Sequence, residues 1–189
     1  MFYRRHLPHW QRADSALFVT WRLHGSLPQR TIASSLKESD FGKRFLLLDR
    51  ELDRGLYGPT WLKDVRSAKI VSDSLLYGAE CLQLYRLSAY VVMSNHVHTL
   101  IWPNAMLSEI TKEIKGFTAR EINRILGRTG NKFWQDESFD HAVRSQNEFY
   151  RIVRYIELNP VKAGLVKNPK QWLWSSAARK TTWIDPGLT

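Results

Sequence analysis

The stretch "LYRLSAYVVMSNHVHTLIW", Leu84 to Trp102, decides the fold. Leu84–Met93 is apolar and β-branched, Ser94-Asn95 is a short polar break, and His96–Trp102 returns to strand formers. Two such runs around so short a break predict an antiparallel hairpin. Upstream, Ala16–Leu23 (ALFVTWRL) reads as a strand closed by His24-Gly25-Ser26. Thr31–Asp53 is charged, with a Phe45-Leu46-Leu47-Leu48 cluster and an interruption at Gly42, and reads as a broken helix ending at the Gly55, Gly58, Pro59 turn. Leu62–Tyr77 carries Val65, Ala68, Ser72 and Leu75 at helical spacing.

Downstream of the hairpin, Ile110, Ile114, Phe117 and Ile125 predict one face of a helix over Ser108–Leu126, ended by Gly127–Asn131. Phe139–Arg144 is a further strand. Ser145 and Glu148 form an S-x-x-E start signal for a helix over Gln146–Leu158, with Gly164 as its terminator. The order strand, helices, strand, strand, helix, strand, helix predicts an α+β, ferredoxin-like antiparallel sheet with helices packed on it, plus extra N- and C-terminal elements. No linker or repeat divides the chain. The expectation is one domain over residues 1–189, with an N-terminal extension of about 1–15 and a C-terminal tail of about 166–189.

Composition narrows the partners. The 189 residues carry a formal net charge of +10, which makes a polyanion, nucleic acid first, the expected partner. The plain alternative is a basic enzyme without such a partner. A single cysteine, Cys81, excludes an internal disulfide framework and a CxxC metal cluster and suits a reducing cytoplasm. The start MFYRRHLPHW lacks the apolar core of a secretory signal, and no apolar run is long enough for a bilayer, so no membrane partner is expected.

His96 and His98 alternate with Val97, so both imidazoles point to one side of their strand. The plain reading is a pair of half-exposed histidines on a solvent face. In so apolar a strand, two imidazoles one pitch apart suit a shared divalent ion better. A third ligand is needed, and His141, Asp136, Asp140 and several glutamates are open candidates. On the capped helix, Phe149, Ile152, Val153 and Ile156 form the core face, and Tyr155 and Asn159, four apart, share one edge of it. Asn159 precedes Pro160, which predicts a place at the helix end. There Tyr155 could be an edge aromatic and Asn159 a cap. With the histidines, the set suggests an ion polarising a phosphodiester and a tyrosine attacking it.

These motifs together resemble a known family. YRRHLPHW (Tyr3–Trp10), TWRLHGSLP (Thr20–Pro28), VVMSNHVHTLIW (Val91–Trp102), KGFTAREINRILGR (Lys115–Arg128), FWQDESFDHAVRS (Phe133–Ser145), YIELNPVKAGLV (Tyr155–Val166) and WLWSSA (Trp172–Ala177) resemble the REP-associated branch of the single-tyrosine HUH transposases, which belong to the insertion-sequence-like transposase superfamily. The resemblance implies that Tyr155 is the nucleophile and that His96, His98 and Asn159 hold the metal, Mg²⁺ or Mn²⁺. It implies cleavage and rejoining of single-stranded, hairpin-containing (REP-like) DNA through a 5′-phosphotyrosine, by a cytoplasmic, nucleoid-associated monomer or homodimer. Two departures are visible. Asn159 stands where many insertion-sequence relatives have glutamine, and Ser94 where the family commonly has proline. The alternatives are a domesticated hairpin-binding protein without catalysis and an H-x-H zinc hydrolase. An RNA-recognition module is disfavoured because Lys115-Gly116-Phe117 lies in a helical segment. Arg4, Arg5, Lys112, Lys115, Arg120, Arg151 and Arg154 could grip DNA, though for any one of them a solvated helix face is the stronger reading, and none is assigned individually.

Overall fold

A computed structural model describes residues 15–179, so the Tyr3–Trp10 motif, Arg4 and Arg5 lie outside the described residues. The elements are β1 (Leu17–Arg22), α1 (Gln29–Ser35), α2 (Phe41–Arg54), α3 (Val65–Glu80), β2 (Tyr85–Val92), β3 (His96–Pro103), α4 (Leu107–Ile125), β4 (Phe139–Ala142) and α5 (Gln146–Lys162). The four strands form one antiparallel sheet in the order β2-β3-β1-β4, as the ferredoxin-like plan requires.

Strand alternation gives the sheet two buried faces. Leu17, Val19 and Trp21 of β1 and Val97 and Ile101 of β3 face one core, which α3 covers with Ala68, Val71 and Leu75 and α4 with Ile110, Ile114 and Ile122. Phe18, Leu100 and Trp102 face a second core, closed by Phe45 of α2 and Phe149, Val153 and Ile156 of α5. The register of β2 shifts between Leu87 and Ala89. This irregularity swaps its phase: Tyr85 belongs to the first core, whereas Ala89 and Val91 belong to the second. The tail returns to the edge of β2, where the Val92 amide donates to the Trp174 carbonyl at 2.8 Å and the Trp172 indole to the Val92 carbonyl at 2.9 Å.

Several boundaries differ from the sequence expectation. The broken helix is two helices. The break falls before Asp40, whose carboxylate accepts from the Lys43 amide at 2.8 Å and starts α2, so Gly42 lies in the first turn. Gly55, at φ 58, ends α2 in the left-handed region. Val65 is 64% exposed and Phe117 42% exposed, and Thr118 takes the core place on α4. The largest difference concerns α5. It runs through Pro160 to Lys162 and ends at Gly164, φ 70, so Asn159 is a buried interior residue and not the helix end. Pro160 removes one backbone donor, but the Ala163 amide reaches the Asn159 carbonyl and the Leu165 amide the Pro160 carbonyl, both at 2.9 Å, and these close the last turn.

Candidate active site

The histidines are fully buried on the face of β3 that meets α2 and α5, which excludes the solvent-face reading. Each imidazole is held through Nδ1. His98 Nδ1 pairs with the Thr20 hydroxyl at 2.7 Å, across the β1–β3 register that sets Thr20 opposite His98. His96 Nδ1 lies 2.7 Å from Asn95 Oδ1. The Asn95 amide group donates to the Leu52 carbonyl at 3.1 Å, which turns its oxygen toward His96. His96 Nδ1–H therefore donates, and its Nε2 keeps a lone pair. The two Nε2 atoms meet at 3.1 Å. Burial, then the neighbouring His98, hold the His96 pKa down at about 3, so this imidazole is neutral and ready to ligate. The Ser94-Asn95 turn is also tied to the chain before α3, where the Leu62 amide donates to the Ser94 carbonyl at 3.2 Å.

Two carboxylates come from α2. On this helix Phe45, Asp49 and Leu52 are the buried positions, so Asp49 stands within the apolar face. Asp49 Oδ1 sits 3.1 Å from His98 Nε2 and 3.8 Å from His96 Nε2. Asp53, one turn on, places Oδ1 3.6 Å from His96 Nε2. Neither Oδ1 has an aligned hydrogen-bond partner among the described residues. Burial alone would raise the Asp49 pKa, but His98, His96 and the Tyr155 hydroxyl outweigh it and hold it at about 2. Burial, then the charge on Asp49, push Asp53 up to about 7.

Helix α5 brings Tyr155 to the same carboxylate, and its hydroxyl donates to Asp49 Oδ2. Its ring packs edge-on to Phe18 and Phe45 and lies 5.7 Å from His98. Burial, then the adjacent Asp49, push the phenol pKa well above its ordinary value. Lys162 sets its ammonium 4.4 Å from the centre of the Tyr155 ring. This contact exists because α5 continues past Pro160. Asn159 is fully buried, and neither its side-chain oxygen nor its nitrogen has a partner among the described residues.

Asp49, His96 and His98 offer ligand atoms within 4.8 Å of one another, the one such group among the described residues. Two imidazoles and a carboxylate suit a divalent transition ion such as Mn²⁺. The orphaned oxygens of Asp49, Asp53 and Asn159 fit the same reading, since buried polar atoms normally have partners. The other candidates serve elsewhere. His141 Nε2 pairs with Glu148 at 2.9 Å, and Asp136 pairs with Lys132 at 2.6 Å. Lys115 donates to the Gln135 and Asp136 carbonyls at 2.7 and 2.9 Å, a structural role. Lys112, Arg120, Arg151 and Arg154 are exposed. Asp49 and Asp53 were not among the residues the sequence reading singled out. The readable signal for Asp49 is an acid between Phe45 and Leu52 at helical spacing, and Asp53 lies one turn beyond it.

Residues 76–159 match the family model described as "Transposase IS200 like". The REP-associated tyrosine transposase of Escherichia coli (strain K12) is 31% identical over 98 residues, which cover 50% of this chain and 56% of that protein. The chain thus spans little more than half the length of this relative. A solved REP-associated tyrosine transposase, bound to a REP hairpin, aligns over 92% of this chain and 84% of its own with a TM-score of 0.58 and 20% identity, which shows a shared fold. No helix among the described residues is long and apolar enough to cross a membrane. The matched segment contains His96, His98, Tyr155 and Asn159, whereas Asp49 and Asp53 precede it. The segment that matches the IS200-like transposase model, residues 76–159, carries both the paired histidines of β3 and the tyrosine of α5.

Proposed function

We propose that the protein cleaves and rejoins single-stranded DNA beside a hairpin, with Tyr155 as nucleophile and a divalent metal held by His96, His98 and Asp49. The observation that carries this reading is the convergence on one carboxylate: Asp49 turns Oδ2 to the Tyr155 hydroxyl and Oδ1 to the histidine pair. Asn159, buried and unpartnered on the same helix, is the candidate for a further ligand through its amide oxygen. The likeness to REP-associated transposases, one of them bound to a REP hairpin, supports hairpin DNA as substrate, and a cytoplasmic, nucleoid-associated location goes with that reading.

Bound there, a divalent cation would polarise a phosphodiester oxygen. The remaining chemistry belongs to the chain. Tyr155 Oη attacks phosphorus, its proton passes to Asp49 Oδ2, and the bond from phosphorus to the 3′-oxygen breaks. The 3′-oxygen takes one proton from solvent and leaves as a hydroxyl, Asp49 returns the proton it received to solvent, and the 5′ end stays on Tyr155 as a phosphodiester. Attack by a 3′-hydroxyl reverses these steps without an external energy source. Lys162, over the tyrosine ring, adds positive charge where the phosphate arrives.

Labelled hairpin oligonucleotides incubated with the protein and Mg²⁺ or Mn²⁺ test this on a denaturing gel. A covalent adduct is expected that disappears with chelator and in Tyr155→Phe. Asp49 also supplies the strong third ligand that an H-x-H hydrolase needs, so that reading has one observation in its favour. Metal-dependent cleavage that survives Tyr155→Phe would select it. Tight hairpin binding without cleavage would leave a binding-only role.

A further inference from the structure

Next to Asp49, between α1–α2 and the β1–β4 side of the sheet, lies a cavity of about 140 Å³. Asp49 is part of its wall, but His96, His98 and Tyr155 are not, and the chemistry above makes no use of it. Its lining includes the apolar side chains of Phe45, Leu48 and Phe139. The Phe45 and Phe139 rings lie 4.4 Å apart and tilted by 38°, a continuous aromatic wall. Its polar lining includes Arg22, Arg44, Gln135, Glu137 and Ser138. The volume is well below the roughly 300 Å³ at which drug-sized pockets begin, so the space suits a single ring system.

Arg22 gives the space its chemistry. It stands opposite His96 in the β1–β3 register and is half-buried, with one hydrogen bond from its guanidinium among the described residues, to the Ser26 hydroxyl at 3.5 Å. Glu137 is its electrostatic neighbour. Most of the guanidinium's donors are unspent. A forked donor that shares a cavity lining with two aromatic rings matches a planar ring with two adjacent acceptors. Guanine presents O6 and N7 in that way. Adenine sets an amino donor beside N7, and pyrimidines lack the pair. Stacking on the wall would accept any base, so selection falls to Arg22.

We propose that this cavity receives one unpaired base of the bound strand, next to the phosphodiester presented to Tyr155, and that Arg22 selects guanine there. The proposal rests on the reading of single-stranded DNA as substrate. It also gives the part of the chain before the family-matched segment two tasks: β1 chooses the base through Arg22, and α2 stacks on it through Phe45.

Hairpin DNA with a short randomised single strand at its foot tests it. Strands retained on a filter and strands in covalent adducts are sequenced separately, for the wild-type protein, Arg22→Lys and Leu48→Trp. Wild-type bound strands should enrich guanine at one position by about tenfold or more. Arg22→Lys keeps the charge but loses the fork, so it should flatten that position while total binding and the melting temperature hold. Leu48→Trp fills the cavity and should erase the preference while tolerating an abasic site there. Bound strands without a base preference, or a preference that both variants keep, overturn the proposal, as does absence of DNA binding. A preference for free dGMP that hairpin DNA does not displace also overturns it. Guanine-selective binding without adducts would reject strand transfer by Tyr155 and keep the pocket. Adducts without selectivity would do the reverse.

Discussion

A histidine becomes a good ligand when its other nitrogen is held, and Thr20 and Asn95 do this for His98 and His96. Thr20→Val and Asn95→Ala are each expected to lower Mn²⁺ affinity by about 10–100-fold, read by calorimetric titration of folded protein. Asp49→Asn keeps the shape and an acceptor for Tyr155 but removes the charge, so it should weaken Mn²⁺ binding at least as much. Unchanged affinity in Asp49→Asn would remove Asp49 from the ligand set. The histidines and Tyr155 were legible in the sequence because their arrangement is local. Strand alternation aligns the imidazoles, and helical spacing places Tyr155 beside the core face. Asp49 was not legible as a partner of His96. That meeting is made by the packing of α2 on the sheet, which no local period encodes. Asn159 was legible as a neighbour of Tyr155 but not as a buried orphan, because its burial follows from the extra turn of α5.

At the scale of elements, α5 governs where Tyr155, the proposed nucleophile, stands, and its first turn is fastened twice. The Ser145 hydroxyl accepts from the Glu148 amide at 3.2 Å, and the Glu148 carboxylate accepts from the Arg144 amide at 2.7 Å and pairs with His141 at 2.9 Å. Ser145→Ala is expected to cost about 1 kcal/mol in denaturant unfolding. Burial would raise the Glu148 pKa, but the Arg144 amide and His141 overcome it and bring it below its ordinary 4.5. The sign follows: this contribution is fully present above the unfolded value and is lost as pH falls through the lowered folded value. Melting temperatures from near-neutral to strongly acid pH should therefore fall less steeply in Glu148→Gln than in the wild type. An equal slope would show that the carboxylate is not a pH-dependent fastener. The S-x-x-E signal predicted this start correctly because capping is a contact of near neighbours. The end was misplaced because the bias of Asn159 away from helical angles was overridden by burial of Asn159 and Pro160. Similarly, Gly42 drew the expected break in α2, whereas Asp40 set it.

At the scale of the whole molecule, the sheet separates support from chemistry. One core, under α3 and α4, holds the back of β3, and the other, under α2 and α5, holds the site. The hairpin and the order of elements made the antiparallel α+β class legible, but nothing in the local pattern tells which helices cover which face. The candidate ligands and Tyr155 come from β3, α2 and α5, so the proposed site is complete only when the second layer is assembled. Metal binding is then linked to global unfolding, and Mn²⁺ at about 100 times its dissociation constant should add about 2.7 kcal/mol to stability. Thermal scans with and without Mn²⁺ on two truncations separate the layers. Ile122→Ala, in the first core, and Phe45→Ala, beside His98 and Tyr155, should each destabilise by about 2–5 kcal/mol. Ile122→Ala should keep the Mn²⁺-induced rise in melting temperature, because the side chain it removes touches no part of the site's layer. Phe45→Ala should lose most of the rise, because that ring sets the height of α2, and so of Asp49, above the histidines. An equal rise in both variants would mean that the ligands hold their geometry without the second core.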